Sequence, residues 1–194
     1  MLSVIIATHE SERTLVPTLS ALVPGAMSGL VTEVVVADAG SKDATAEVAD
    51  IAGCRFMIVE GAIGPRLKEA ALTTRTPWLL FLRAGIVPDA NWMAEIEAFM
   101  QAAAYGEKAP RAAVFRAGAS ASARPGLGDL IALLRTMLTG KAPSPDQGLL
   151  ISRDLYETLG GHPRGHDAEA ALIGKLGRRL ALLGASVRVV GEPG

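Results

Sequence analysis

Apolar positions along the chain fall into two rhythms. Short, largely apolar runs at 2–7, 34–37, 55–59, 78–82, 112–116, 148–152 and 185–190 are separated by polar and turn-forming stretches. Runs of that length and punctuation predict buried strands. Between them the apolar residues recur at helical spacing. The segment 12–22 puts Leu15, Leu19 and Leu22 on one face, and 44–52 turns Ala44, Val48 and Ile51 inward. Further helices are predicted within 61–72, starting at Gly64 and Pro65, and over 91–105 and 168–183, with Met93, Ile96, Phe99 and Met100 as the apolar face of the second. Ser11 and Asp43 are placed to cap the first two helices, and 24–29 reads as a loop. Strand, helix, strand, helix, strand at this spacing predicts right-handed parallel crossovers, and so a doubly wound, mostly parallel α/β sheet with helices on both faces.

The stretch Glu33 to Thr45, EVVVADAGSKDAT, organises the rest. Its strand ends at Asp38, and Gly40 permits the sharp turn beyond it. In open α/β sheets ligands bind just past the carboxyl ends of strands. Asp38 is therefore a candidate site residue, as are Thr8, His9 and Glu10 at the end of the first strand. His9 reads either as a turn residue or as a ligand contact. Arg66 falls in the first turn of the helix over 61–72, where the helix dipole disfavours a cation. Contact with an anionic phosphate is one reason for such a placement, and solvation is the other.

Composition narrows the class. The chain has 194 residues, enough for one domain. A net charge of -1 gives no basic surface for nucleic acid. Cys54 is the single cysteine, which excludes an intrachain disulfide and reads as a small core residue. Aromatic residues make up 4%, so stacking platforms are few, with Trp78, Phe81, Trp92 and Tyr156 as candidates. Met1 runs straight into an apolar strand with no basic flank, and no segment reaches membrane-span length. A cytoplasmic protein is expected. The segment 118–125 reads as a loop. The helix predicted over 126–139 is core-packed, a homodimer face, or a membrane-surface contact.

Five segments resemble, in order, those of the family 2 glycosyltransferases. SVIIATHE (3–10) is similar to the family's "SVIIPTYNE", and VVVADAGSKDAT (34–45) to "VVDDGSTDGT" or the bacterial subgroup's "VDGGSTDGT". GAIGPRLKEAAL (61–72) resembles "GPSAARNRG", and DQGLLISRDLYETLGGHP (146–163) resembles "DQGLFVRRELFEALGGFP". GHDAEAALIGKLGR (165–178) is similar to "MEDVELSRRLRR", with His166, Asp167 and Glu169 at the family's acidic positions. The resemblance implies a nucleotide-diphospho-sugar transferase fold. It also implies transfer of a sugar from a nucleotide-sugar donor to an acceptor hydroxyl, with inversion. Thr8, Glu10, Asp38 and Arg66 would then hold the donor, Asp167 would be the general base, and Asp146 and Gln147 would either touch sugar hydroxyls or form a structural turn. Asp167 is also placed to cap the helix that follows it.

One departure changes the picture. Where the family has "FLDADD" or "FLHADT", whose acids hold Mg or Mn under the diphosphate, this chain reads Phe81, Leu82, Arg83, Ala84, Gly85 and Ile86. Both acids are absent. Either Arg83 pairs directly with the diphosphate, making transfer metal-independent, or the site has decayed and Arg83 is a tolerated surface residue. The second acid after Val36 is also lost, at Ala39. A non-catalytic nucleotide-sugar-binding or partner-binding relative is the competing reading. A nucleotidyltransferase is a weaker third, since a glycine-rich phosphate loop near the first strand is missing.

Overall fold

The computed structural model describes residues 1–106, 110–118, 143–165 and 167–191. The helix expected over 126–139 and His166 lie outside the described residues. Eight described strands form one sheet: β1 (Leu2–Thr8), β2 (Val31–Asp38), β3 (Arg55–Ile58), β4 (Trp78–Arg83), β5 (Ile86–Pro88), β6 (Ala112–Ala117), β7 (Leu149–Ser152) and β8 (Leu180–Val189). Their order is β3-β2-β1-β4-β7-β6-β8-β5. The first four strands are parallel, with Ile5 opposite both Val35 and Phe81. β7 then pairs antiparallel with β4, and β6 antiparallel with β7. All seven residues of β1 are buried, as befits the central strand of a covered sheet.

Six helices cover the two faces: α1 (Glu12–Met27), α2 (Thr45–Ile51), α3 (Ile63–Leu72), α4 (Trp92–Tyr105), α5 (Arg153–Thr158) and α6 (Ala168–Leu176). On one face Val4, Ile6, Val36 and Leu80 pack under α1, α2 and α4, through Leu15, Leu22, Ala49, Trp92 and Ile96. On the other, Ile5, Val35, Ala37 and Phe81 pack under α3, α5 and α6, through Leu67, Ala70, Tyr156, Leu172 and Ile173. The alternation of β1 side chains between these layers is the period-2 geometry of a strand. No described helix is long and apolar enough to cross a membrane.

The elements depart from the sequence pattern in four places. The loop expected over 24–29 is the last turn of α1, which carries both Pro17 and Pro24 inside it. Tertiary packing holds that turn. Gly25 lies under the Trp92 ring, where a Cβ would come within 2.6 Å of ring carbon, and Trp92 Nε1 donates to the Ala21 carbonyl at 3.1 Å. In α2 the buried residues are Thr45 and Ala49, while Ile51 is 79% exposed. The helix predicted over 168–183 stops at Leu176. Gly177 takes φ +50 and the chain returns as β8 from Leu180. The aromatic candidates are core residues: Trp92, Phe81 and Tyr156 are buried, and Trp78 packs edge-on against Phe99.

Candidate functional site

The strand order reverses at β1, whose neighbours are β2 on one side and β4 on the other. That reversal is the topological switch point of an open α/β sheet, where ligands bind. The carboxyl ends of β1, β2 and β4 present Thr8, Asp38 and Arg83. α3 brings Arg66 and α6 brings Glu169 to the same rim, because both helices pack on the same face of the sheet. Their approach is close. A Cβ on Gly64 would strike the Pro163 carbonyl and come within 2.6 Å of Ala168 Cβ, so glycine permits the start of α3 to touch the start of α6.

Asp38 is buried and fully engaged. Its Oδ1 accepts from Thr8 Oγ1 at 2.7 Å and Ser41 Oγ at 2.6 Å; its Oδ2 accepts from the backbone N–H of Gly40 at 2.7 Å and Ser41 at 2.6 Å. Burial pushes its pKa up, but the hydrogen bonds from Ser41, Thr8 and Gly40 outweigh it and hold the carboxyl below its usual value. Asp38 thus shapes the loop after β2, with Gly40 at φ +94. Glu10, itself at φ +50, ties the two loops together: its N–H donates to Ser41 Oγ at 2.8 Å and its Oε1 accepts from Lys42 N–H at 2.8 Å. Asp43 Oδ2 accepts from Glu12 N–H at 3.0 Å, and Glu12 Oε2 accepts from Ala44 N–H at 3.1 Å, so each loop caps the other's helix. Ser11 makes no side-chain cap bond, since its hydroxyl donates to the His9 carbonyl.

Arg66 is the unusual group. Its side chain is buried, and Nε and one terminal nitrogen, Nη1, have no hydrogen-bond partner among the described residues. Burial pushes its pKa down, only partly countered by the negative charges of Asp38 and Glu169. A buried, incompletely bonded guanidinium is costly and points to an anion that would complete it.

Arg83 stands at the rim but is already paired. Nε donates to Glu169 Oε1 at 3.2 Å and Oε2 at 2.9 Å, and Nη2 donates to Oε2 of the same residue. Nη1 reaches Asp146 Oδ1 at 3.4 Å. Burial disfavours the Arg83 cation, but Glu169 and Asp146 more than restore it. Arg83 is therefore no ordinary surface residue. Gln147 is spent on structure, its Oε1 accepting from Ser144 N–H at 2.8 Å and its Nε2 donating to the Phe115 carbonyl at 2.6 Å. Asp167 is exposed at the start of α6 and makes no side-chain cap bond. The described structure thus gathers Thr8, Asp38, Arg66, Arg83, Asp146 and Glu169, and leaves Glu10 and Asp167 on the outside. Among the described residues no group of three His, Cys, Asp or Glu side chains is placed to hold a metal ion, and the last residue of β4 is an arginine.

Two features were not anticipated from the sequence. Glu169 matched a family acid, but its partnership with Arg83 joins positions 86 residues apart. The second is a buried pair: Tyr156 Oη lies 2.9 Å from His162 Nδ1, with Phe81 edge-on to the imidazole at 4.6 Å between ring centres. Burial pushes His162 down to about 3, so it is neutral. It also pushes Tyr156 up to about 12, against smaller opposing effects from the His162 backbone and Arg153. A signal existed, since His162 stands where the family string "GGFP" has phenylalanine. His162, Phe81, Leu149 and Glu169 border a cavity of about 10 Å³, room for one water. A larger apolar cleft of about 430 Å³ lies on the opposite face between α1 and α2, bordered by Val16, Val23, Val48 and Ile51.

Solved structures of glucosyl-3-phosphoglycerate synthase from Mycobacterium tuberculosis share this architecture. The complex with Mn2+, UDP and glucosyl-3-phosphoglycerate superposes with a TM-score of 0.70 at 20% identity, covering 100% of this chain and 73% of that one. The complex with phosphoglyceric acid gives 0.71 at 21% identity, covering 100% and 73%. The complex with Mn2+ and UDP-glucose gives 0.69 at 20%, covering 100% and 72%. The chain has a nucleotide-diphospho-sugar transferase fold. No protein-family model matches the sequence, and no curated protein matches it. A likeness at this identity is one of fold, and one fold hosts many activities.

Proposed function

We propose that this protein is a glycosyltransferase that moves a sugar from a nucleotide-diphosphate donor to an acceptor hydroxyl, with inversion at the anomeric carbon and without a divalent ion. The observation that carries the reading is Arg66, a buried guanidinium with two unpartnered nitrogens at the switch point of the sheet. A diphosphate would bring acceptor oxygens and negative charge to this cation. Thr8, Glu10 and Asp38 form the nucleotide side through the two interlocked loops. Arg66 and Arg83 supply the positive charge that a leaving diphosphate needs. Asp167, the exposed residue that precedes α6, is the base for the acceptor hydroxyl in this reading. UDP and UDP-glucose are the first donors to try, because the solved structures of like fold hold them.

Thermal-shift titration with UDP, GDP and dTDP and their sugars, each in Mg2+, Mn2+ and EDTA, tests the reading. The expected result is stabilisation by at least one nucleotide, unchanged by EDTA and lost in Arg66→Met. No response to any nucleotide overturns it. Release of sugar from the donor, sensitive to Asp167→Asn with acceptor present, separates an enzyme from a binder.

A non-catalytic, nucleotide-sugar-binding or scaffold role is the second reading. It is favoured by the saturation of Asp38 and by the pairing of Arg83 with two carboxylates. Donor binding with no turnover toward sugars or phosphorylated hydroxy acids would favour it.

A further inference from the structure

We propose that Glu169, assisted by Asp146, is a removable latch on Arg83, and that an incoming diphosphate must displace its carboxylate to bind. This rests on the nucleotide-sugar reading and adds to it a residue that sets affinity for the donor. Three elements meet in the latch: Arg83 ends β4, Glu169 lies in the first turn of α6, and Asp146 sits in the 3-10 turn Pro145–Gln147. Glu169 takes donors from Nε and Nη2, and Asp146 takes one from Nη1. The Glu169 carboxylate is also close enough to Arg66 to act on its charge. It therefore acts on both cations of the rim that a diphosphate would use. Carboxylate and phosphate oxygens use the same fork of guanidinium donors, so the two compete for one place.

Charge counting makes the competition strong. Asp38, Asp146 and Glu169 carry three negative charges against the two positive charges of Arg66 and Arg83. A diphosphate entering such a rim is repelled unless a carboxylate withdraws. The backbone of α6 is fixed by its contact with Gly64, so withdrawal is a rotation of the Glu169 side chain into another staggered conformer. Asp146 holds less tightly, at 3.4 Å with a side chain 55% exposed. Its removal has the same sign and a smaller size.

The test is isothermal titration of the wild type, Glu169→Gln and Asp146→Asn with inorganic pyrophosphate and with UDP, each variant first checked for cooperative urea unfolding. The expected result is five- to tenfold tighter binding of both ligands by Glu169→Gln, the effect of one charge at a partly screened site. A twofold gain is expected in Asp146→Asn. Binding by the wild type with equal or weaker binding by a folded Glu169→Gln overturns the latch and leaves the nucleotide reading standing. If Glu169→Gln does not fold, equal or weaker binding by Asp146→Asn overturns it instead. No binding by any of the three overturns the nucleotide reading and the latch together. Binding by Glu169→Gln alone supports both.

Discussion

Arg83 Nε donates to both carboxylate oxygens of Glu169, at 3.2 and 2.9 Å, joining the end of β4 to the start of α6. The Glu169 side chain is 10% exposed and that of Arg83 39%. Removing the cation strands a nearly buried carboxylate, which costs more than the pair is worth intact. Arg83→Met is expected to lower unfolding free energy by about 1–3 kcal/mol, discounted from the fully buried range because water screens Arg83. Arg83→Met combined with Glu169→Gln should recover part of that loss. Urea unfolding of the four members of the cycle measures it. Strict additivity would mean that the two residues do not interact in solution.

Arg66 predicts the opposite balance. Its buried guanidinium leaves two nitrogens unbonded, and replacing a poorly compensated buried charge by an apolar side chain of similar length is often neutral or stabilising. Arg66→Met should unfold at equal or higher urea concentration, by about 0–2 kcal/mol, while losing the thermal response to nucleoside diphosphates. A variant that is both less stable and still nucleotide-responsive would place Arg66 in the scaffold alone.

Gly64 predicts a packing effect on the same rim. A Cβ there meets the Pro163 carbonyl and Ala168 Cβ, neither of which is the free end of a flexible side chain. Gly64→Ala should cost about 1–3 kcal/mol through overpacking, despite the better helix propensity of alanine. It should also weaken anion binding, since pushing α3 outward moves Arg66 away from the strand ends that carry Arg83. Denaturant midpoints and pyrophosphate titration report the two effects separately.

What the sequence reveals and what it hides follow from range. Strands such as β1 and β4 are legible because burial on both faces leaves an unbroken apolar run, and Asp38 and Arg66 are legible as rim residues because strand ends and helix starts are local signals. The continuation of α1 past Pro24 is not local, since it depends on Trp92, 71 residues from Ala21. The early stop of α6 turns on one glycine in a run that otherwise keeps helical composition. Arg83 reads from sequence as a choice between a free cation and a surface charge. Its two carboxylate partners come from segments 63 and 86 residues away, which no local pattern can supply.

His162 gives a prediction in pH. Its imidazole is 3% exposed, bonded through Nδ1 to Tyr156 Oη, and burial pushes its pKa down to about 3 from an ordinary 6.5. The unfolded chain therefore binds a proton below pH 6.5 that the folded chain refuses. When the unfolded state binds more protons, stability rises with pH, so it is full above pH 6.5 and falls as pH drops toward 3. Each pH unit in that window is worth about 1.4 kcal/mol, so lowering pH from 6.5 to 5 should cost about 2 kcal/mol. This range lies above the usual titration of aspartate and glutamate, and Asp38, held below its usual value, loses its contribution only at lower pH. His162→Phe removes the titrating group at the price of leaving Tyr156 Oη short of one partner. Its unfolding free energy should be lower than wild type at pH 7 yet nearly flat between pH 6.5 and 5. Equal slopes for the two proteins across that window would mean that the imidazole accepts its proton in the folded state.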